Sequence, residues 1–255
     1  MKKLFHAFFM SLSTFSIIPP IYRGWDEDAK KYMIIMIPFI GAIIGGLYYL
    51  LHFLLTLINL PIYVNALLYV VFPLLITGCI HFDGYLDVVD AKKSYRGLDE
   101  KIQILKDPHV GSFAVIFGIV ITLSAYALFL SLKEDTNYLF LIFIPIISRS
   151  MSGLMLTTFK PLNVSQYNNV DSKGFKIFKI IYFSAVILTM LALMYVFMGL
   201  YALIGVGVVL IHFLACISSY ISFKGINGDV SGYAITVSEY LCIAVIIILQ
   251  VILWF

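Results

Sequence analysis

The chain has 255 residues, of which 62% are hydrophobic and only 12% charged, and its mean hydropathy of +1.00 excludes a soluble globular domain. The net charge of +3 is small, and the bases are not interleaved with exposed aromatics on a soluble arm, so nucleic-acid binding has no support. Apolar stretches long enough to cross a hydrocarbon core recur along the sequence. They exclude a single anchor with a soluble domain and predict one integral membrane domain, 1–255, folded as an all-α polytopic bundle.

In chain order, Met1-Lys2-Lys3 followed by Leu4 to Ile18 has the charge and length of a signal peptide but no small-x-small cleavage site before Pro19-Pro20, so it is expected to be retained. It is shorter than the ~20 residues a crossing needs, which makes it an interfacial or re-entrant helix. Hydropathy and length then predict about seven transmembrane helices, near 32–58, 62–80, 111–132, 137–159, 177–199, 200–222 and 233–255. The short links at Asn59-Leu60-Pro61 and Gly199-Leu200 make antiparallel hairpins of the helices they join. Pro38, Gly41, Gly45 and Gly46 form a small-residue face for helix packing. Cys79, Cys216 and Cys242 have no CxxC spacing and are expected as small buried hydrophobes, and His52 and His212 as satisfied structural histidines.

Lys and Arg fall almost entirely on one set of alternate loops. Lys2, Lys3, Arg23, Lys30, Lys31, Lys92, Lys93, Arg96, Lys101, Lys106, Lys160, Lys173, Lys176, Lys179 and Lys224 share a side, and Lys133 stands opposite. The positive-inside rule therefore predicts a cytoplasmic N-terminus and an external C-terminus in the cell (cytoplasmic) membrane. Catalytic loops are expected near 81–110, 160–176 and 223–232. The same sorting places Asp83, Asp87, Asp90, Asp107, His109, Asp171 and Asp229 on the cytoplasmic side, within reach of water-soluble phosphorylated substrates.

Almost nothing else in this apolar chain is as acidic as the segment His81-Phe-Asp83-Gly84-Tyr-Leu-Asp87-Val-Val-Asp90. Its aspartates fall at i, i+4 and i+7, so a helix leaning on the membrane surface would place them on one stripe, where they repel unless a cation neutralises them. Oxygen ligands suit Mg²⁺ or Mn²⁺, whereas Zn²⁺ would call for more His or Cys. The bland alternative is a solvated helix whose acids pair with Lys92, Lys93 and Arg96. His81 is a general-base or phosphate-binding candidate. In Lys106-Asp107-Pro108-His109-Val110-Gly111, Asp107 is either a presented ligand or a helix N-cap. Arg149 lies inside the fourth span, where a bare guanidinium costs at least ~2.5 kcal/mol, so it must face either a phosphate or carboxylate ligand or a structural partner such as Glu239. Finally, Gly225-Ile-Asn227-Gly228-Asp229-Val-Ser-Gly232 precedes the seventh span. Its closely spaced glycines offer a backbone concavity for a phosphate, or simply an interhelical turn.

Together these segments resemble the cobalamin synthase family, the adenosylcobinamide-GDP ribazoletransferases of corrinoid assembly. The family's His-x-Asp-Gly-x-x-Asp-x-x-Asp-Gly block looks like His81 to Ala91, its Asp-x-x-x-Gly like Asp107 to Gly111, and its Ser-Arg like Ser148-Arg149. Its Gly-x-x-Gly-Asp-x-x-Gly with a later glutamate looks like Gly225, Gly228, Asp229, Gly232 and Glu239. Phe15 to Pro20 and Pro38 to Gly45 match its amino-terminal and first-span patterns. The chain departs from the pattern at Ala91 (glycine in the family), Asn227 (threonine) and Thr236 (an added acid in some members), which leaves Glu239 as the one acid expected in the seventh span.

The resemblance implies attack by a ribose hydroxyl of α-ribazole, or of its 5′-phosphate, on the corrinoid-side phosphorus of adenosylcobinamide-GDP, with GMP leaving. It implies Mg²⁺, or Mn²⁺, held by Asp83, Asp87 and Asp90 and completed by Asp107 or Asp229. His81 is implied as base and Arg149 as phosphate stabiliser, with Gly225, Asn227, Gly228, Asp229 and Glu239 at the substrate. Membrane lipids are the expected surroundings, and both a monomer and a homo-oligomer fit. Two rivals remain. A CDP-alcohol phosphotransferase would concentrate Asp-Gly, Ala-Arg, Gly and two further Asp in one block, and no Ala-Arg follows Asp83-Gly84 here. A transporter would place its ionisable residues at the bilayer midplane, often in inverted repeats.

Overall fold

The computed structural model describes residues 2–22, 24–162 and 171–252. Arg23, positions 163–170 of the expected 160–176 loop and the last three positions of the seventh expected span lie outside them. Among the described residues the structure is helical apart from one isolated bridge, between Pro161 and Ile226. The helices are α1 (Lys2–Phe15), α2 (Met33–Ile58), α3 (Ile62–Ile76), α4 (Ile80–Lys93), α5 (Leu98–Ile104), α6 (Ser112–Leu130), α7 (Phe140–Thr158), α8 (Lys173–Met198), α9 (Leu203–Phe223), α10 (Gly228–Leu241) and α11 (Ile243–Ile252).

Five helical runs are long and apolar enough to cross a membrane, and up to six if the bent pair α3–α4 is one span. One of the five, Lys173–Phe223, covers 51 residues and contains both α8 and α9, so seven crossings are compatible with the fold. Within that run the chain reverses at Gly199, whose φ of 57° suits glycine. Gly205 of α9 is thereby set against Leu191 and Met194 of α8. The hairpin at Asn59 forms similarly: Asn59 adopts a left-handed φ of 52° as the C-cap of α2, and Pro61 opens α3.

Two of the boundaries that differ from expectation shape the site. The 62–80 span stops at Ile76, because Gly78 and Cys79 take left-handed φ values of 60° and 61° in succession and turn the chain by 93° into α4. Cys79 at this corner is exposed, not buried as the sequence suggested, whereas Cys216 and Cys242 are buried. At the other end, α10 starts at Gly228 rather than 233, because the Asn227 side chain accepts the Val230 N–H at 3.0 Å and caps it. Asp229 and Glu239 therefore share one helix, and much of 81–110 and 223–232 is helix rather than loop.

The most enclosed span is α7, with 78% of its apolar window buried inside the protein. Glycines bring α2 onto it: a Cβ at Gly41 would overlap the Pro145 carbonyl, and one at Gly45 the Ile142 carbonyl. Gly46 has open space around it and does not belong to this face. The second close crossing joins α4 to α10. A Cβ on Gly84 would lie 2.8 Å from the Asp229 carbonyl oxygen, and one on Gly232 would lie 2.9 Å from that of His81. Two acidic segments nearly 150 positions apart in sequence thus meet backbone to backbone.

Candidate active site

Helix α4 carries Asp83, Asp87 and Asp90. The basic residues that follow are committed elsewhere. Lys92 Nζ donates to Ser218 Oγ at 2.6 Å and lies 5.0 Å over the Tyr233 ring, Lys93 lies 4.8 Å over Phe117, and Arg96 pairs with Glu100 at 3.0 Å. Among the described residues none of the three aspartate carboxylates has a hydrogen-bond or ion-pair partner, so the ion-paired helix is not what forms. Instead Asp87 lies in the field of Asp83, Asp229 and Asp90, and Asp229 in that of Asp83. Four carboxylates from two helices share one negative region. Asp90 is pressed against Gly111, where any Cβ would overlap its carboxylate, so glycine is what lets the 107–111 loop close over α4.

Asp107 does not cap α6, whose N-cap is Gly111. Its Oδ1 accepts the His109 N–H at 2.9 Å and contacts His109 Nδ1 at 2.7 Å. These contacts, the backbone N–H foremost, hold its carboxyl below the usual aspartate range. Both residues are exposed.

A cavity of about 220 Å³ opens beside the α4–α10 crossing. Its polar lining comes from Thr14 of α1, His81 of α4, Arg149, Ser152 and Thr157 of α7, Asp171 and Lys179 at α8, and Asn227, Gly228, Asp229 and Ser231 at the start of α10. Phe15, Ile34 and Ile37 from α1 and α2 supply apolar wall. Asp83, Asp87, Asp90 and Asp107 are not on this wall. Asp229 belongs to both the cavity and the carboxylate cluster and connects them.

Arg149 is 1% exposed, and of the sequence alternatives the structure shows the structural partner, Glu239. Its Nη1 donates to Glu239 Oε1 at 2.6 Å, an oxygen that Ser148 Oγ also reaches at 2.5 Å, so Glu239 is its counter-ion. Its Nε and Nη2 are buried with no acceptor, although the residue lines the cavity. Glu239 sits behind the guanidinium and not on the cavity wall. His81 Nε2 is likewise buried without a partner, and its ring stacks on Phe15 at 6.2 Å. The His81 carbonyl accepts from Thr236 Oγ1 at 3.1 Å, tying α4 to α10 where the family pattern varies.

The glycine motif divides. Gly228 faces open space on the cavity, whereas a Cβ at Gly225 would meet the Leu162 backbone at 2.7 Å, in the stretch where Ile226 N–H bonds the Lys160 carbonyl. Gly225 thus makes room for chain, whereas the space at Gly228 belongs to the cavity. Asn227 Nδ2 donates to Asp229 Oδ2 at 2.6 Å and fixes that carboxylate. His52 and His212 are satisfied as expected, His52 by the Tyr69 hydroxyl and His212 between Ser152 and Ser238.

Sequence reasoning missed Lys179 as a cavity residue. It is 5% exposed and pairs with Asp171, and its position inside a predicted span was the available signal. For a divalent cation, the α4 and α10 carboxylates are hard oxygen donors without cationic partners, which fits Mg²⁺ or Mn²⁺. Among the described residues, however, no three His, Cys, Asp or Glu side chains are drawn to metal-site spacing.

A family model described as Cobalamin-5-phosphate synthase matches residues 7–247. A protein of Clostridium perfringens (strain 13 / Type A) named adenosylcobinamide-GDP ribazoletransferase is 36% identical, over 94% of this chain and 96% of its own length. Proteins of the same name from Clostridium botulinum (strain Alaska E43 / Type E3) and Lachnoclostridium phytofermentans are 36% and 30% identical, over 94% and 99% of this chain and 96% and 97% of their own lengths. No solved structure matches.

Proposed function

Because the chain belongs to the Cobalamin-5-phosphate synthase family, we propose that it is an adenosylcobinamide-GDP ribazoletransferase, an enzyme of late nucleotide-loop assembly in cobalamin biosynthesis. A ribose hydroxyl of α-ribazole, or of its 5′-phosphate, attacks the corrinoid-side phosphorus. The new P–O bond forms as the bond to the bridging oxygen breaks, GMP departs with that oxygen, and the hydroxyl proton passes to a base. The product is adenosylcobalamin or its 5′-phosphate.

The observation that carries this reading is one cavity shared by Arg149 with two buried unpartnered donors, His81 with a buried unpartnered ring nitrogen, and the Asp229 carboxylate. Arg149 Nε and Nη2 are the candidate donors to phosphate oxygens, and a guanidinium recognises two of them at once. His81 Nε2 is the candidate proton acceptor. Gly228 and the first N–H groups of α10 offer donors to a phosphate. Asp83, Asp87 and Asp90 would hold Mg²⁺ or Mn²⁺. Of the two completing candidates, Asp229 is supported by its shared field with Asp83 and Asp87, whereas Asp107 is engaged by His109. The cation's contribution would be to offset negative charge on the phosphates.

The chain is a multi-pass membrane protein. The asymmetry of its Lys and Arg supports a cytoplasmic-membrane location with the N-terminus and the site facing the cytoplasm. Supplying membranes that contain the protein with adenosylcobinamide-GDP plus α-ribazole, or with a CDP-alcohol plus a lipid alcohol, separates the readings. Release of GMP from the first mixture supports the assignment, and release of CMP from the second with none from the first would replace it.

A further inference from the structure

The cavity holds a second buried cation that the roles above leave unused. Of the lysines that open α8, Lys173 and Lys176 are exposed while Lys179 is 5% exposed. Helical spacing puts Lys179 on one stripe with Phe183 and Ile187, both buried, so an ammonium occupies a position where the same face otherwise carries apolar side chains. Asp171 Oδ2 pairs with it, and the Phe175 ring lies 5.5 Å from its Nζ. Both charged side chains line the cavity that Arg149, His81 and Asp229 also line.

Stability does not account for this pair. Desolvating two charges offsets most of their attraction, and apolar residues of similar volume usually hold a core equally well. A ligand does account for it. The transfer reading gives the substrate a diphosphate, and the one cationic side chain assigned to it, Arg149, is already matched by Glu239. An ammonium has three donors, so a carboxylate on one side leaves others for phosphate oxygens.

We infer that Lys179 binds a phosphate of the diphosphate substrate, with Asp171 as its resident counter-ion, so that the cavity grips the diphosphate between cations from α7 and α8. The identity of the ligand rests on the ribazoletransferase reading; the binding role is measured separately from turnover.

The test is equilibrium binding of adenosylcobinamide-GDP to the detergent-purified full chain, beside turnover with α-ribazole. Lys179→Met weakens binding by about tenfold or more, the scale of a lost charge-assisted hydrogen bond, and Lys179→Arg restores most of it. KM for α-ribazole stays near the wild-type value. The double variant Lys179→Met/Asp171→Asn removes both charges, keeps the fold and still binds weakly, which a purely structural pair would not produce. Lys179→Met or the double variant binding within about twofold of wild type overturns the inference. Wild-type binding without turnover contradicts the transfer reading alone, and failure of the wild type to bind overturns both.

Discussion

Arg149 shows how a single residue connects burial to chemistry. Its cost in a membrane span already demanded a partner, and Ser148 and Glu239 meet that demand on one side of the guanidinium while Nε and Nη2 stay free on the other. Removing Glu239 alone leaves a buried uncompensated cation. Glu239→Gln is expected to destabilise the protein by about 3–5 kcal/mol, read as a lowered thermal midpoint in detergent. Adding Arg149→Met to that variant recovers stability but not turnover. Full activity in the double variant would remove Arg149 from the substrate. The aspartates of α4 make the complementary case, having no cationic partner to lose. Asp83→Ala and Asp87→Ala should leave the fold intact and abolish Mg²⁺-dependent transfer, and near-normal turnover in either would end the metal assignment. Arg149, Glu239 and the aspartate stripe were legible because charge in an apolar sequence is conspicuous. Lys179 was not singled out, because near a predicted boundary a lysine reads as a loop residue until the helix is seen to turn it inward.

At the scale of elements, the site depends on how closely α4 approaches α10. Gly84 and Gly232 remove the Cβ atoms that would hold the two backbones apart, and the approach brings Asp229 into the field of Asp83 and Asp87. Gly84→Ala and Gly232→Ala should lower turnover strongly, since the added methyl meets backbone rather than a yielding side chain. Gly46→Ala, in open space on α2, should leave activity unchanged. Equal losses at all three positions would mean that general packing, not this crossing, is what matters. The spans themselves were readable from hydropathy to within a few residues. The corner at Thr77 to Cys79 was not, because two successive left-handed residues, one of them a cysteine, leave no mark on an apolar profile. The early start of α10 was hidden because its first turn is built from glycine and aspartate, and only the Asn227 cap makes it a helix.

At the scale of the molecule, α7 is the enclosed post around which α2, α8, α9 and α10 are arranged, and the cavity lies where α1, α2, α4, α7, α8 and α10 converge. The order of motifs was legible in the sequence, and the loop-charge rule supports their placement on one face. The meeting of His81, Arg149, Gly228 and Asp229 on one cavity, with Asp83, Asp87, Asp90 and Asp107 off its wall, was not legible, because it depends on helix neighbours far apart along the chain. Sidedness has its own check: cysteines placed at Glu100 and at Glu134 should react with an impermeant thiol reagent from opposite sides of intact cells, once Cys79 is replaced. Labelling of both from one side would contradict the topology.

The central claim is that the acidic α4–α10 region and the adjoining cavity form a metal-dependent phosphoryl-transfer site. It is tested most directly by measuring GMP release from adenosylcobinamide-GDP and α-ribazole by the purified full chain, titrated with Mg²⁺ after chelation, for the wild type and Asp83→Asn. Release should rise with Mg²⁺ in the wild type, stop with chelator and be absent from the variant. Release that ignores both the chelator and the substitution would contradict it.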